Sequence, residues 1–122
     1  MNKKKVINLK DEASNLTNLF EYKKVGFMNN YMFNLIRAKD RLLDFHTHED
    51  TDEVFYVLEG KMKIEFRDSM LELNAGELCI VPKGEEHRPV CKDEVVVMLI
   101  EPEGTLTSDN TGGAYKQDNN YE

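Results

Sequence analysis

Charged and apolar residues alternate strictly along Lys61-Met62-Lys63-Ile64-Glu65-Phe66, which predicts a strand with one wet face and one core face. Tyr31 to Lys39 reads as a strand as well, with Tyr31, Phe33 and Leu35 on one side against Met32, Asn34 and Ile36 on the other. Leu42 to His48, Glu53 to Leu58, Met70 to Leu73, Leu78 to Val81 and His87 to Cys91 are further short runs of strand character. Each is set off by turn residues: Lys39-Asp40-Arg41, Glu59-Gly60, Arg67-Asp68-Ser69, Asn74-Ala75-Gly76-Glu77 and Lys92-Asp93. Pro82 and Gly84 stop the run that ends at Val81. Val95-Val96-Val97-Met98-Leu99-Ile100 is apolar on both faces. One face should fill a core, and the other must be covered by a partner subunit or by the N-terminal arm, Val6 to Leu9, of the same or another chain. Many short strands at this spacing predict an all-β sandwich or barrel.

The ends of the chain are patterned differently. Residues 1–10 alternate weakly and suggest an arm or a strand end. Ala13, Leu16, Leu19 and Phe20 recur at helical spacing, so a short helix is expected over Asp11 to Phe20. From Thr105 onward the chain is polar, as in a loosely ordered tail. The expected organisation is an arm with its helix over 1–30, a β barrel over 31–102 and a tail over 103–122.

Composition narrows the function classes. A formal charge of −7 argues against nucleic acid and anionic membrane as partners, because both need a basic face. No apolar run approaches a membrane span, and the basic start lacks the apolar segment of a signal peptide, so a cytoplasmic protein is expected. Cys79 and Cys91 form no CxxC pair and read as reduced, small apolar side chains.

The candidate chemistry lies in Phe45-His46-Thr47-His48 and the residues after it. In an extended strand, residues two apart face the same way with Cα atoms roughly 7 Å apart, so His46 and His48 can converge on one ion. Glu53 opens the next strand after an acidic turn that folds the chain back, and its carboxylate makes a third donor. A fourth comes from His87, three residues beyond Gly84. Imidazole and carboxylate together suit one divalent first-row metal, with zinc, manganese, iron and nickel all accepted by such donors. The chain holds only three histidines, and all three fall in this set.

At these residues the sequence resembles the cupin family, over about residues 31–102. The family's first motif, His-x-His, three or four residues, Glu, six residues, Gly, is matched by His46, His48, Glu53 and Gly60. Its second, Gly, five residues, Pro-x-Gly, two residues, His, is matched by Gly76, Pro82, Gly84 and His87. Asp40 stands where the first motif usually opens with glycine, and Cys91 where the second usually closes with asparagine. Asp tolerates a turn with positive φ, so the turn at Asp40 is expected to survive.

The resemblance implies a double-stranded β-helix, or jelly-roll barrel, with those four residues as metal ligands and a small-molecule ligand at the mouth. It also favours a homodimer, and small chains of this kind are often likened to mannose-6-phosphate isomerase. Four protein donors on an octahedral ion leave two positions that can orient an oxygen ligand or activate water. The resulting expectation is a metal-dependent enzyme of isomerase or dioxygenase type acting on a small oxygenated metabolite. The alternatives are a non-catalytic ligand- or metal-sensing module, or a purely structural cupin.

Asp44 is the candidate catalytic acid–base group. An unbroken strand would turn it inward beside His46 and His48, whereas a bulge would send it to solvent. Arg37 is a candidate positive group for the pocket, or else an exposed strand residue.

Overall fold

A computed structural model describes residues 4–105. One short helix, α1 (Leu9–Ser14), precedes nine strands: β1 (Tyr22–Met28), β2 (Tyr31–Ala38), β3 (Arg41–Leu42), β4 (Glu53–Glu59), β5 (Lys61–Phe66), β6 (Met70–Asn74), β7 (Leu78–Val81), β8 (His87–Cys91) and β9 (Val95–Pro102). They form two antiparallel sheets, one ordered β1-β2-β9-β4-β7 and the other β3-β8-β5-β6. The alternation along β4 and β5 holds: Phe55, Val57, Met62 and Ile64 are buried between the sheets, whereas Lys61 and Lys63 face solvent. No helix among the described residues is long and apolar enough to cross a membrane.

β9 is buried on both faces from Val95 to Leu99. Val95, Val97 and Leu99 face the core between the sheets. Val96 and Met98 face outward, where Ala13 and Leu16 pack on them with Val25 and Leu35. The cover is therefore this chain's own N-terminal segment, although of the expected stretch only Leu9 packs on the cluster, and Val6 is 93% exposed. Burying Leu16 there contributes about 2 kcal/mol. Arg37 fastens the segment: its guanidinium donates to the carbonyls of Ala13 and Leu16, each at 2.9 Å, and pairs with Glu94 at 2.6 Å. It is a clamp on the outer face and does not line the cavity described below.

Three expectations shift. The helix runs over Leu9–Ser14 instead of Asp11 to Phe20. Asn8 caps it by accepting from the Asp11 N–H at 3.0 Å, and the residues after Ser14 (Asn15, Thr17, Asn18) are weak helix formers. By Phe20 the backbone is left-handed, with φ 67°. Second, the stretch read as an arm contains β1, which pairs with β2 through an irregular register between Lys24 and Gly26. The two lysines and the glycine hide its alternation. Third, the strand expected over Leu42 to His48 ends at Leu42. The tail expected over 103–122 lies outside the described residues beyond Thr105.

Two turns depend on special backbone. Gly60 has φ +80°, and a Cβ there would lie 2.4 Å from the Glu94 carbonyl oxygen, so only glycine fits between β4 and β5. Asp40 takes the glycine's place at φ 51°, and its N–H donates to the Lys92 carbonyl at 3.1 Å. The turn survives, as expected.

Candidate metal centre

The loop after β3 and the start of β8 are joined by a single bridge: the His46 N–H donates to the His87 carbonyl at 2.9 Å, and the His46 carbonyl accepts from the His87 N–H at 3.0 Å. From the Leu42–Val90 pair to the His46–His87 pair the chain takes four steps on one side and three on the other. That extra residue is a bulge, and it breaks the inward parity. Leu43 and His46 line the interior, and Asp44 is exposed instead. The expectation of an inward Asp44 carboxylate fails for this reason. What Asp44 brings to the site is its backbone carbonyl, 3.1 Å from His46 Nδ1.

Further along, Gly84 N–H donates to the His48 carbonyl at 2.8 Å, and Asp52 accepts from the Lys83 N–H at 2.9 Å. Gly84 reaches this position with φ +80°, a conformation that L side chains rarely adopt. The two motifs are thus zipped together by backbone hydrogen bonds, and their side chains meet. Donor atoms of His46, His48, Glu53 and His87 all lie within 4.8 Å of one another. Glu53 Oε1 stands 3.1 Å from His87 Nε2 and 3.4 Å from His48 Nε2. The structure brings together all four residues singled out as ligands, and leaves Asp44 outside.

Two of the rings are held from behind. His87 Nδ1 lies 2.8 Å from the Glu85 carbonyl and His46 Nδ1 3.1 Å from that of Asp44, in both cases the residue two positions earlier. A carbonyl accepts only an N–H, so the proton sits on Nδ1 and Nε2 is left to face the cluster. This arrangement fixes the tautomer of metal-binding histidines.

The charges follow. Burial would raise the Glu53 carboxyl, but hydrogen bonds from His48, His87 and Glu101 hold it well below the usual carboxylate range. Burial would lower His87, yet the bond to Glu53 and the Glu85 carbonyl lift it above its ordinary value. His46 is lowered, chiefly by burial, so it stays neutral and open to a cation. Donors this close together, three imidazole nitrogens and one carboxylate oxygen, fit a divalent transition metal.

Glu101 was missed in the sequence, where it reads as a strand-ending acid beside Pro102. It is fully buried, and neither carboxyl oxygen meets a hydrogen-bond donor among the described residues. The ladder pairing Val54 with Ile100 continues to set Glu101 beside Glu53. A proton kept by Glu101 and donated to Glu53 satisfies both. Burial, then the Glu53 charge, hold the Glu101 carboxyl well above its ordinary value. The signal available in the sequence was parity: Val95, Val97 and Leu99 set the inward face, and Glu101 continues it.

The cluster opens on a narrow cavity of about 40 Å³ between the two sheets. Its walls are mainly apolar, among them Ile36, Phe55, Met62 and Val97. Tyr22, Arg41 and Cys91 are the other polar or titratable groups that line it. Burial pushes the Cys91 thiol up, which keeps it a small apolar filler, as expected. Cys79, also free, is shifted the same way by burial.

The cupin-domain family Cupin_2 matches residues 38–101, more than half of the chain. The chain belongs to the cupin family. Among solved cupins it is similar to a cupin-2 domain containing protein from Shewanella frigidimarina NCIMB 400, at 42% identity and TM-score 0.75, over 80% of this chain and 95% of that one. Protein NMB1881 from Neisseria meningitidis is similar at 27% identity and TM-score 0.71, over 81% of this cupin and all of that chain. A curated relative, the uncharacterized protein YdbB of Bacillus subtilis, is 46% identical over 46 residues. That stretch spans 37% of this cupin and 41% of the relative.

Proposed function

We propose that this cupin holds one divalent transition metal ion on His46, His48, Glu53 and His87 and is a metal-dependent enzyme for a small oxygenated metabolite bound in the barrel. The observation that carries the reading is the convergence of four donors, drawn from two separated motifs, at the wall of a cavity. Three imidazole nitrogens and one carboxylate suit zinc, manganese, iron or nickel. When bound, such an ion supplies Lewis acidity and a fixed anchor for a ligand's oxygen atoms.

The chain's own residues do the rest. The carbonyls of Asp44 and Glu85 hold the Nδ1 protons of His46 and His87, so that each Nε2 lone pair points at the centre. Glu101 holds Glu53 from behind through its proton. Without the ion, His87 keeps its Nε2 proton on Glu53, and that proton must leave when a cation takes its place. Apolar walls keep bulk water from the ligand's body.

A second reading, a non-catalytic module that senses a ligand or metal, is favoured by one specific observation. With Asp44 exposed, no carboxylate other than the proposed ligand Glu53 lines the cavity among the described residues, which leaves it without a carboxylate placed for acid–base work.

The test is elemental analysis of protein purified without added metal or chelator, with about one divalent ion per chain expected. His48→Ala and His87→Ala should each lose that ion while the far-ultraviolet circular dichroism stays β-type. Wild-type protein that stays metal-free after dialysis against manganese, iron, nickel and zinc salts would overturn the proposal. Tight binding of a metabolite without turnover would decide for the sensing module.

A further inference from the structure

The cavity beside the cluster is small for a metabolite. Its volume of about 40 Å³ has room for about three water-sized groups, whereas pockets for drug-sized ligands run from roughly 300 to 1,000 Å³. The residues that bound it therefore decide which ligand enters.

Strand register places the boundary farthest from the cluster. Phe66 pairs with His87 at the metal end of β5, and Lys63 pairs with Val90 further along. Inward residues recur at every second position, so Phe66, Ile64 and Met62 follow one another away from the histidines. Met62 stands four residues from Phe66, about 13 Å along the strand. Continued by one step, the ladder sets Met62 beside Cys91. Both are buried, at 5% and 8% exposure, and both line the cavity.

The other side of these residues is outside the barrel. Met62, Val90 and Cys91 also line a surface groove of about 270 Å³, in which Lys61, Lys63 and Lys92 stand. The wall between cavity and groove is thus one side chain thick. Val90 and Cys91 are short, whereas Met62 is long, unbranched and able to fill an irregular gap. Its thioether is a weak acceptor and no donor, so it can select a ligand by length but not by head group.

Building on the metal-site reading above, we infer that the ligand of this cavity is a short molecule, a metal-binding head carrying a small apolar group, and that Met62 sets the limit on its length. Met62→Ala removes the three heavy atoms beyond Cβ and opens the cavity toward the groove. A longer ligand then has somewhere to go.

Straight-chain hydroxamic acids from acetyl to octanoyl test this on the metal-loaded full chain. The hydroxamate chelates the ion in every member, so only the alkyl length varies. Circular dichroism and metal content are measured first, and calorimetric titration then reads affinity. Each methylene that finds an apolar wall strengthens binding by about 4-fold. In the wild type that gain should stop by the butanoyl member. In Met62→Ala it should continue for about three more methylenes, which amounts to roughly 60-fold for the longer acids. Met62→Leu, of similar volume, should keep the wild-type limit.

Wild-type affinity that climbs steadily from acetyl to octanoyl overturns the inference even if Met62→Ala does not fold, and so does a metal-loaded wild type that binds no member of the series. A limit that stays in place in folded, metal-loaded Met62→Ala overturns it as well. Protein that takes up no metal overturns the metal reading and the inference with it, and the metal measurement tells that failure from a missing length limit.

Discussion

Replacing Glu101 with Gln isolates the buried carboxyl pair. Glu101 is fully buried, and its carboxyl is held far above the ordinary value by burial and by the Glu53 charge. Below the ordinary carboxyl range, near 4.5, folded and unfolded chains both carry the proton, so the group has no effect on stability. Above it the unfolded chain releases the proton and the folded chain keeps it, so stability falls as pH rises, by about 1.4 kcal/mol per pH unit for one proton. Gln has nearly the same shape, donates an N–H to Glu53 and never ionises. Metal-free Glu101→Gln should therefore gain on the wild type as pH rises above 4.5, until the folded-state value is passed. The histidines and Glu53 titrate in both proteins, so most of their contribution cancels in the difference. Urea denaturation of chelator-treated protein at several pH values between about 5.5 and 7.5 reads it directly. Parallel stability profiles would refute the reasoning, because they would mean that Glu101 is ionised in the folded chain.

Other expected outcomes follow from single contacts. Arg37→Ala removes two part-buried hydrogen bonds to the carbonyls of Ala13 and Leu16 and should cost about 3 kcal/mol by the same denaturation assay, with the pairing to exposed Glu94 adding little. Asp44→Asn should leave metal content and affinity unchanged, because only the Asp44 carbonyl meets His46; a loss measured by elemental analysis would put the side chain back in the site. A homodimer is expected through the outer face of β4 and β7, where Leu78 and Ile80 are 57% and 58% exposed. Light scattering should give near twice the 14.2 kDa chain mass, and Ile80→Lys should bring it down to one chain.

Most of the sheet structure was legible because alternation and turn residues are local signals. Lys61 to Phe66 alternates because its lysines are wet and Met62 and Ile64 are packed, and Gly60 ends β4 because the Glu94 carbonyl leaves no room for a side chain. β1 was not legible: its lysines and Gly26 follow no apolar period, and it becomes a strand by pairing with β2. The helix was placed late for a related reason. Ala13 and Leu16 revealed the buried stripe, but the start depends on Asn8, whose capping role shows only once Asp11 N–H is seen on it.

The candidate site divides along the same line. The ligand residues were readable because histidines are scarce and their spacing is rigid, whereas Asp44, Arg41 and Glu101 turn on strand parity, which one added residue reverses. The bulge between Leu42 and His46 puts Leu43 and His46 on the same side. With Leu42 facing outward, ordinary alternation sends Asp44 out as well, and without the extra residue His46 would follow it away from the cluster. The bulge therefore aims His46 at the cluster while Asp44 stays on the solvent side.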